Sequence, residues 1–305
     1  MEYRVLGSLE VVDGRGLPLA LGGARQQSVL ASLILRAGRT VPLERLVEEL
    51  WEKPPKTAGK TVQVYVSRLR RQLEARAIES RPGGYALILD GDQLDLARFE
   101  QMSGEGHEAL GAGDCERAAT LLRDALALWR GPALSGLQSP TLCREAERLE
   151  ELRLQALEDR LEADLGRGHE RAVVAELQPL VAEHPFRERL RGLLMLALYR
   201  SGRQTEALDV YRETRSLLAD QLGLEPSETL RELERRVLAH DPQLEVQLPD
   251  AQAPSQPALD AIVRSLVLGG TGKTVSLSFE IPPTVIDTLA AARKAGQPAP
   301  TPLNH

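Results

Sequence analysis

Aromatic residues make up only 3% of the 305-residue chain, so its cores have to be assembled from Leu, Val and Ala. Cysteine is scarcer still. Cys115 and Cys143 are the only two, with no CxxC and no Cys/His cluster, which excludes a disulfide scaffold or a zinc ribbon and leaves reduced packing thiols. The five histidines, His107, His169, His184, His240 and His305, follow neither metal-ligand nor triad spacing. Asp/Glu pairs on helical segments read as solvated faces, so no catalytic residue, metal ligand or cofactor site is expected, and the chain is not read as an enzyme. No run is long and apolar enough to span a bilayer. The opening Met1-Glu2-Tyr3-Arg4 lacks the apolar stretch of a secretory signal, and the expected location is the cytoplasm.

What is present is 42% hydrophobic and 27% charged, enough for two buried cores and a tail. The formal charge of −6 is unevenly spread: residues 1–92 carry 14 Lys+Arg against 11 Asp+Glu, net +3, and the remainder carries 24 against 33, net −9. Between Lys53 and Arg81 eight basic residues (Lys53, Lys56, Lys60, Arg68, Arg70, Arg71, Arg76, Arg81) face only Glu74 and Glu79. That local excess is the footprint of phosphate binding, while an acidic remainder suits protein partners.

The stretch Lys60 to Leu73 sorts its residues onto opposite faces. Val62, Val66, Leu69 and Leu73 recur at i, i+4, i+7 and i+11, one apolar stripe for burial. Lys60, Val64, Ser67, Arg68 and Arg71 project from the other side, as a helix in a DNA major groove requires. Arg25 to Ala37 and Val41 to Trp51 predict two helices before it, and Ile78 to Leu89, broken by Pro82-Gly83-Gly84, predicts a β-hairpin wing after it. Tyr3–Leu9, Glu10–Val12 and Leu17–Leu21 alternate around Gly7 and Asp13-Gly14 and predict a small antiparallel sheet ahead of the helices. Sheet, three helices and hairpin in that order make a winged helix-turn-helix.

From Asp95 to about His240 the pattern is helix after helix, separated by glycine turns. Gly113-Asp-Cys-Glu-Arg-Ala118, Gly168-His-Glu-Arg-Ala172 and Gly202-Arg-Gln-Thr-Glu-Ala207 each open a helix with a small Ala expected to admit a close neighbour. Gly168 and Gly202 stand 34 residues apart, the tetratricopeptide period, and a long helix around Thr141 to Gly166 interrupts the earlier repeat. A tetratricopeptide-like bundle follows, an architecture that presents concave protein-binding surfaces. The overall fold class is mainly α.

These residues carry a family resemblance. Leu6-Gly7-Ser8-Leu9, Leu50-Trp51 with Pro54-Pro55, Tyr65-Val66-Ser67-Arg68-Leu69-Arg70 and Gly84-Tyr85 resemble the OmpR-type winged domain of SARP-type activators, the Streptomyces antibiotic regulatory proteins. Leu126 to Leu134, Glu147 to Leu154, Met195 to Gln204 and Leu222-Gly-Leu-Glu-Pro226 resemble their bacterial transcriptional activation domain. The resemblance runs to about Leu244 and implies two segments, residues 1–92 for DNA binding and 93–244 for activation; beyond it, the polar, Pro- and Gln-rich composition reads as a flexible linker at 245–260 and the residue pattern as a strand-strand-helix extension at 261–305. The resemblance implies a sequence-specific activator that binds promoter direct repeats in double-stranded DNA, as a dimer or side-by-side protomers, recruits RNA polymerase holoenzyme, and controls secondary-metabolite genes.

Carried over position by position, the resemblance places Lys56, Lys60, Thr61, Val64, Tyr65, Ser67, Arg68 and Arg71 at DNA. Arg68 is the foremost base contact and Val64 is suited to a thymine methyl. Tyr65 reads equally as a core-edge aromatic, and Arg70 points to a flank. Arg81 reaches from the wing to the minor groove or its phosphates, while Arg25 and Gln26 hold phosphate at a helix N-terminus. Trp51, Glu52 and Lys53, in the loop stiffened by Pro54-Pro55, face polymerase. The winged domain starts at residue 1, so no receiver domain is expected before it. Larger relatives continue into an ATPase, and Val267-Leu-Gly-Gly-Thr-Gly-Lys273-Thr274 lies in that neighbourhood. A phosphate-binding loop needs Gly at position 267 and a helix after Lys273, whereas Val275 to Phe279 alternates like a strand, so Gly269 to Thr274 reads as a hairpin turn. Two other readings compete: a nucleotide sensor using residues 269–274, and a helical-repeat adaptor whose winged domain binds protein.

Overall fold

The computed structural model describes residues 1–73, 77–89 and 93–245, and beyond them the backbone of Val267–Gly269 and Ser276–Ser278. Met1–Val246 forms one compact unit and Gln247–His305 a second. The expected division at residue 92 falls inside the first unit.

That unit begins with β1 (Glu2–Arg4) and β2 (Glu10–Val12), antiparallel with Tyr3 opposite Val11. The strand expected at Leu17–Leu21 is reduced to a bridge between Val12 and Pro18, with the Leu19 N–H donating to Val11 O at 2.8 Å. The Asp13 carboxylate accepts the N–H groups of Arg15 and Leu17 at 2.8 and 2.9 Å, curling the connection, and Pro18 has no N–H to extend a ladder.

Three helices follow: α1 (Ala24–Ile34), α2 (Leu43–Leu50) and α3 (Ala58–Gln72). Val62, Val66 and Leu69 are at most 1% exposed and Leu73 is 6% exposed, so the apolar stripe is buried as its spacing requires. Each such side chain contributes about 1.5–3 kcal/mol by leaving water. Val29, Leu30, Leu33, Ile34 and Leu46 supply the other side of this core. The wing is β4 (Ile78–Arg81) and β5 (Gly84–Leu87), and a short β3 (Val41–Pro42) joins it in a sheet of order β3-β5-β4. Val41 pairs with Tyr85 and Pro42 with Gly84, so the second helix starts two residues later than the periodicity predicted. A two-residue strand is too short to register as alternation, and Pro42 both ends it and caps α2.

The helical module is α4 (Asp95–Gly111), α5 (Cys115–Ala127), α6 (Pro140–Gly166), α7 (Glu170–Glu183), α8 (Glu188–Arg200), α9 (Gln204–Leu222) and α10 (Glu228–Leu238). Gly113, Gly168 and Gly202 have φ of +81°, +78° and +77°. After each, the next residue donates its N–H five residues back, to Ala109, Asp164 and Leu198 respectively. A left-handed glycine is what this helix stop needs, and it aims the chain into the next antiparallel helix. Ala118 and Ala207 are fully buried, but Ala172 is exposed. Val173, five residues after Gly168 as Ala118 and Ala207 follow their glycines, takes the buried place at 2% exposure.

One hydrophobic cluster runs from Tyr3 through the three helices and the wing to α4, α5 and one side of α6 as far as Ala163. A second is built on α6 to α10, with Leu161 and Leu165 of α6 inside it. The 27-residue α6 therefore supports both. Phe99 and Trp129 meet edge to face at 5.4 Å within the first. Cys115 packs against Gly166, whereas Cys143 is exposed rather than a packing thiol, and both are free. A 3₁₀ turn at Pro242–Leu244 closes the unit and buries Leu244.

In the second unit β6 (Val267–Gly269) and β7 (Ser276–Ser278) pair antiparallel, Gly269 opposite Ser276. A strand thus follows closely on Lys273, as the alternation predicted, instead of a phosphate-cradling helix. The turn between the strands, the expected linker and the expected C-terminal helix lie outside the described residues, as do Glu74 and Arg76. Among the described residues no helix is long and apolar enough to cross a membrane.

Candidate nucleic-acid interface

The candidate surface is the outer side of α3. Burial of Val62, Val66 and Leu69 fixes the helix's rotation, and Lys60, Gln63, Val64, Ser67, Arg68 and Arg71 are left exposed. Val64 retains 47% of its surface, unusual for a branched aliphatic beside a packed core. The helix has no acidic residue in its first turn and ends in Arg70 and Arg71, whose charges oppose the negative end of its dipole. Lys56 is exposed just before it. Thr61 is half-buried, its hydroxyl donating to Thr57 O at 3.1 Å. Tyr65 is half-buried against the core, the core-edge alternative weighed for it.

Four flanking residues have structural partners that spacing did not reveal. Gln26 is 4% exposed and donates from Nε2 to Gln72 Oε1 at 2.9 Å, joining α1 to α3; its side chain is not on the surface. Arg25 is exposed and its guanidinium lies 5.6 Å from the Trp51 ring centroid. The half-buried Trp51 is thus occupied by the core and by Arg25, while its neighbours Glu52 and Lys53 are exposed. Arg81 pairs with Glu79 at 3.0 Å and donates to Gly38 O at 3.1 Å, folding back along the wing. Arg70 donates to Ile78 O at 2.9 Å and Ser80 Oγ at 2.8 Å, pinning β4 to α3, and lies over the Tyr85 ring. Gln63 was absent from the sequence-derived candidates, although its i, i+4, i+8 relation to Ser67 and Arg71 places it in their row.

The surface is held on the helical module by a polar joint. Asp95, at the start of α4, accepts the N–H groups of Val5 and Leu6. Arg130 bonds Ser8 O at 3.2 Å and Glu10 at 2.8 Å, and its own N–H donates to Leu6 O at 2.8 Å. The N–H groups of Leu134 and Ser135 donate to Val5 O and Gly7 O at 3.1 and 3.2 Å. Residues Val5–Ser8 are therefore gripped as an extra strand would be, and backbone bonds fix the orientation of what they carry.

Among the described residues no group of His, Cys, Asp and Glu could hold a metal ion. A buried apolar stripe beneath a basic outer face, a wing fastened to the same helix and a helical module behind are the parts of a winged helix-turn-helix transcription regulator. Residues 19–87 match the family model described as transcriptional regulatory protein, C terminal, and residues 94–238 match the bacterial transcriptional activator domain. The regulatory protein AfsR of Streptomyces coelicolor is 47% identical over 247 residues, 80% of this chain but 25% of AfsR, so the chain spans a quarter of that relative. The transcriptional regulator RedD of the same organism is 40% identical over 256 residues, 81% of this chain and 73% of RedD. Among solved structures, Mycobacterium tuberculosis EmbR in complex with a low affinity phosphopeptide superposes with a TM-score of 0.76 at 36% identity, covering 79% of this chain and 65% of that one. The chain belongs to the SARP family of transcriptional activators. These relatives are named as regulators, and none as an enzyme.

Proposed function

We propose that the protein is a sequence-specific activator that places α3 in the major groove of promoter direct repeats, as side-by-side protomers, and recruits RNA polymerase to secondary-metabolite genes in the cytoplasm. Residues 1–92 serve DNA and 93–244 serve activation. Lys60, Val64, Ser67, Arg68 and Arg71 face the groove, with Arg68 gripping guanine O6 and N7 and Val64 against a thymine methyl. Lys56 and Arg25 reach phosphates, and the first-turn amides of α1, including that of Gln26, add donors, because Gly23 offers no side chain to cap them. Arg81 lies at the wing edge, where breaking its Glu79 pair frees it for the adjacent backbone. Glu52 and Lys53 present the polymerase-facing loop, with Trp51 as its anchor.

The observation that carries this reading is the exposure of an acid-free, basic face on α3, whose other face is buried in the core. Footprinting of the purified chain on promoter DNA at two salt concentrations, with Arg68→Ala alongside, tests it. Protection of repeats should weaken with salt through counterion release, and the variant should lose about 1–3 kcal/mol. A folded protein that protects no DNA at low salt would refute the reading in favour of a protein-binding adaptor.

A further inference from the structure

The exposed residues of α3 fall into two inclined rows, Lys60/Val64/Arg68 and Gln63/Ser67/Arg71, each member four residues from the next. Lys60 and Arg71 stand eleven residues apart, about 16 Å along a helix axis. That exceeds the major-groove width of about 12 Å, so the outer cations meet the phosphate walls and the residues between them face the floor. At the N-terminal half of that floor there is no charge: Gln63, Val64 and Ser67 are the neutral centre.

Within this centre Gln63 alone carries a donor and an acceptor on separate atoms of one rigid amide. Its amide makes no hydrogen bond to the described residues. This contrasts with Gln26 and Gln72, which are spent on each other and on Ala20 O, and with Gln27, which donates to Gly22 O at 2.8 Å. A cation gains from any phosphate and so discriminates little, whereas a side-chain amide loses its hydration on the groove floor and regains both bonds only from adenine, accepting from N6 and donating to N7. Arg70, in the row's flank in the last turn of the helix, pins the wing, so the rotation that exposes Gln63 is held from both sides.

We infer that Gln63 is a specificity-determining residue that reads an adenine in each repeat, at a pair separate from the one contacted by Arg68, which stands five residues, about 7.5 Å, further along the helix. The inference rests on the DNA-binding reading and adds what the neutral part of the helix recognises.

The test is a binding scan on the protected operator in which each A·T pair of a repeat is replaced in turn by G·C, and each adenine by 7-deazaadenine, for the full chain and for Gln63→Ala. Gln63 is exposed, so the variant should fold, and its circular dichroism serves as the control. Wild type should lose about tenfold or more in affinity at one A·T pair, and a smaller factor when only N7 of that adenine is removed. Gln63→Ala should bind the parent operator that much more weakly, show no further loss at that pair, and keep the wild-type salt slope. A variant whose position profile matches wild type overturns the inference while leaving the DNA reading intact. A variant that changes the salt slope by about one also overturns it, since that is the mark of a backbone contact. Wild type with no position dependence at all would remove the DNA reading itself.

Discussion

Asp95 clasps Val5: its two carboxylate oxygens lie 2.9 and 3.0 Å from the Val5 nitrogen, and one also accepts the Leu6 N–H at 3.1 Å. The pair lies 90 residues apart in sequence and ties the first strand to the start of the helical module. Asp95 is 2% exposed, so Asp95→Ala strands two backbone donors where water does not reach. The expected loss is about 3 kcal/mol, read by denaturant unfolding. Asp95→Asn keeps one acceptor and should lose less.

The same residue makes a pH prediction. Burial, the largest influence, lifts the Asp95 carboxyl above its ordinary 3.8, and the Val5 and Leu6 N–H groups with Arg130 offset this only in part. The folded state therefore favours the protonated acid. Its contribution to stability is complete below that ordinary value and is lost as pH rises through the lifted one. Relative to Asp95→Asn, wild type should lose stability across this window; a difference curve flat in pH, or sloping the other way, would show the clasp to favour the ionised form.

Glu49 of α2 is 7% exposed and accepts from Ser32 at 2.5 Å, Arg36 at 2.9 Å and Arg45 at 3.1 Å, locking α2 to α1. Its partners differ in exposure, 20% for Arg36 and 54% for Arg45. Arg45→Ala should cost no more than about 1 kcal/mol, as exposed pairs do, and Arg36→Ala more. Glu49→Ala should cost about 3 kcal/mol by leaving Ser32 and Arg36 without their acceptor. Equal effects for the two arginines in thermal unfolding would contradict this ranking.

The wing supplies a steric prediction. A Cβ on Gly84 would overlap the Val41 carbonyl oxygen and stand 3.0 Å from Pro42 Cα. Both obstacles are backbone of β3 and cannot rotate away. Gly84→Ala should cost about 3 kcal/mol, the upper end for overpacking, and loosen β3 from β5, seen as faster hydrogen exchange of the Leu43 N–H that donates to Gly83 O. Unchanged exchange would mean that the sheet yields elsewhere.

How far the sequence was legible follows from what kind of interaction each residue makes. Val62, Val66, Leu69 and Leu73 declare their side by period alone, and Gly113, Gly168 and Gly202 mark helix stops because only a left-handed residue fits there. Helix α6 was placed to within a residue. Val41–Pro42 was read as helix because its pairing partner, Tyr85-Gly84, lies more than forty positions away. Ala172 was misassigned by one position because two valines beside it compete for the same gap. At the site, the apolar stripe gave the outward face, but Gln26, Arg70 and Arg81 looked like surface chemistry because nothing local announces Gln72, Ile78 O or Gly38 O. The clasp of Asp95 on Val5 is equally silent in the sequence, being a contact between a side chain and distant backbone.

Arg70 and Arg71 are neighbours in sequence with opposite assignments. Arg70 spends its guanidinium on Ile78 O, Ser80 Oγ and the Tyr85 ring, whereas Arg71 is exposed with a single long bond of 3.4 Å to Ser67 O. Arg71→Ala should lower the salt slope of DNA binding by about one and leave the melting temperature in place. Arg70→Ala should leave the slope alone and destabilise the wing by about 1–2 kcal/mol, from two lost hydrogen bonds and a ring contact. Binding across a salt series together with hydrogen exchange of the β4 amides separates the two. If Arg70→Ala instead drops the slope by one with β4 protection intact, Arg70 contacts the DNA backbone and the wing is held by its own strand pairing.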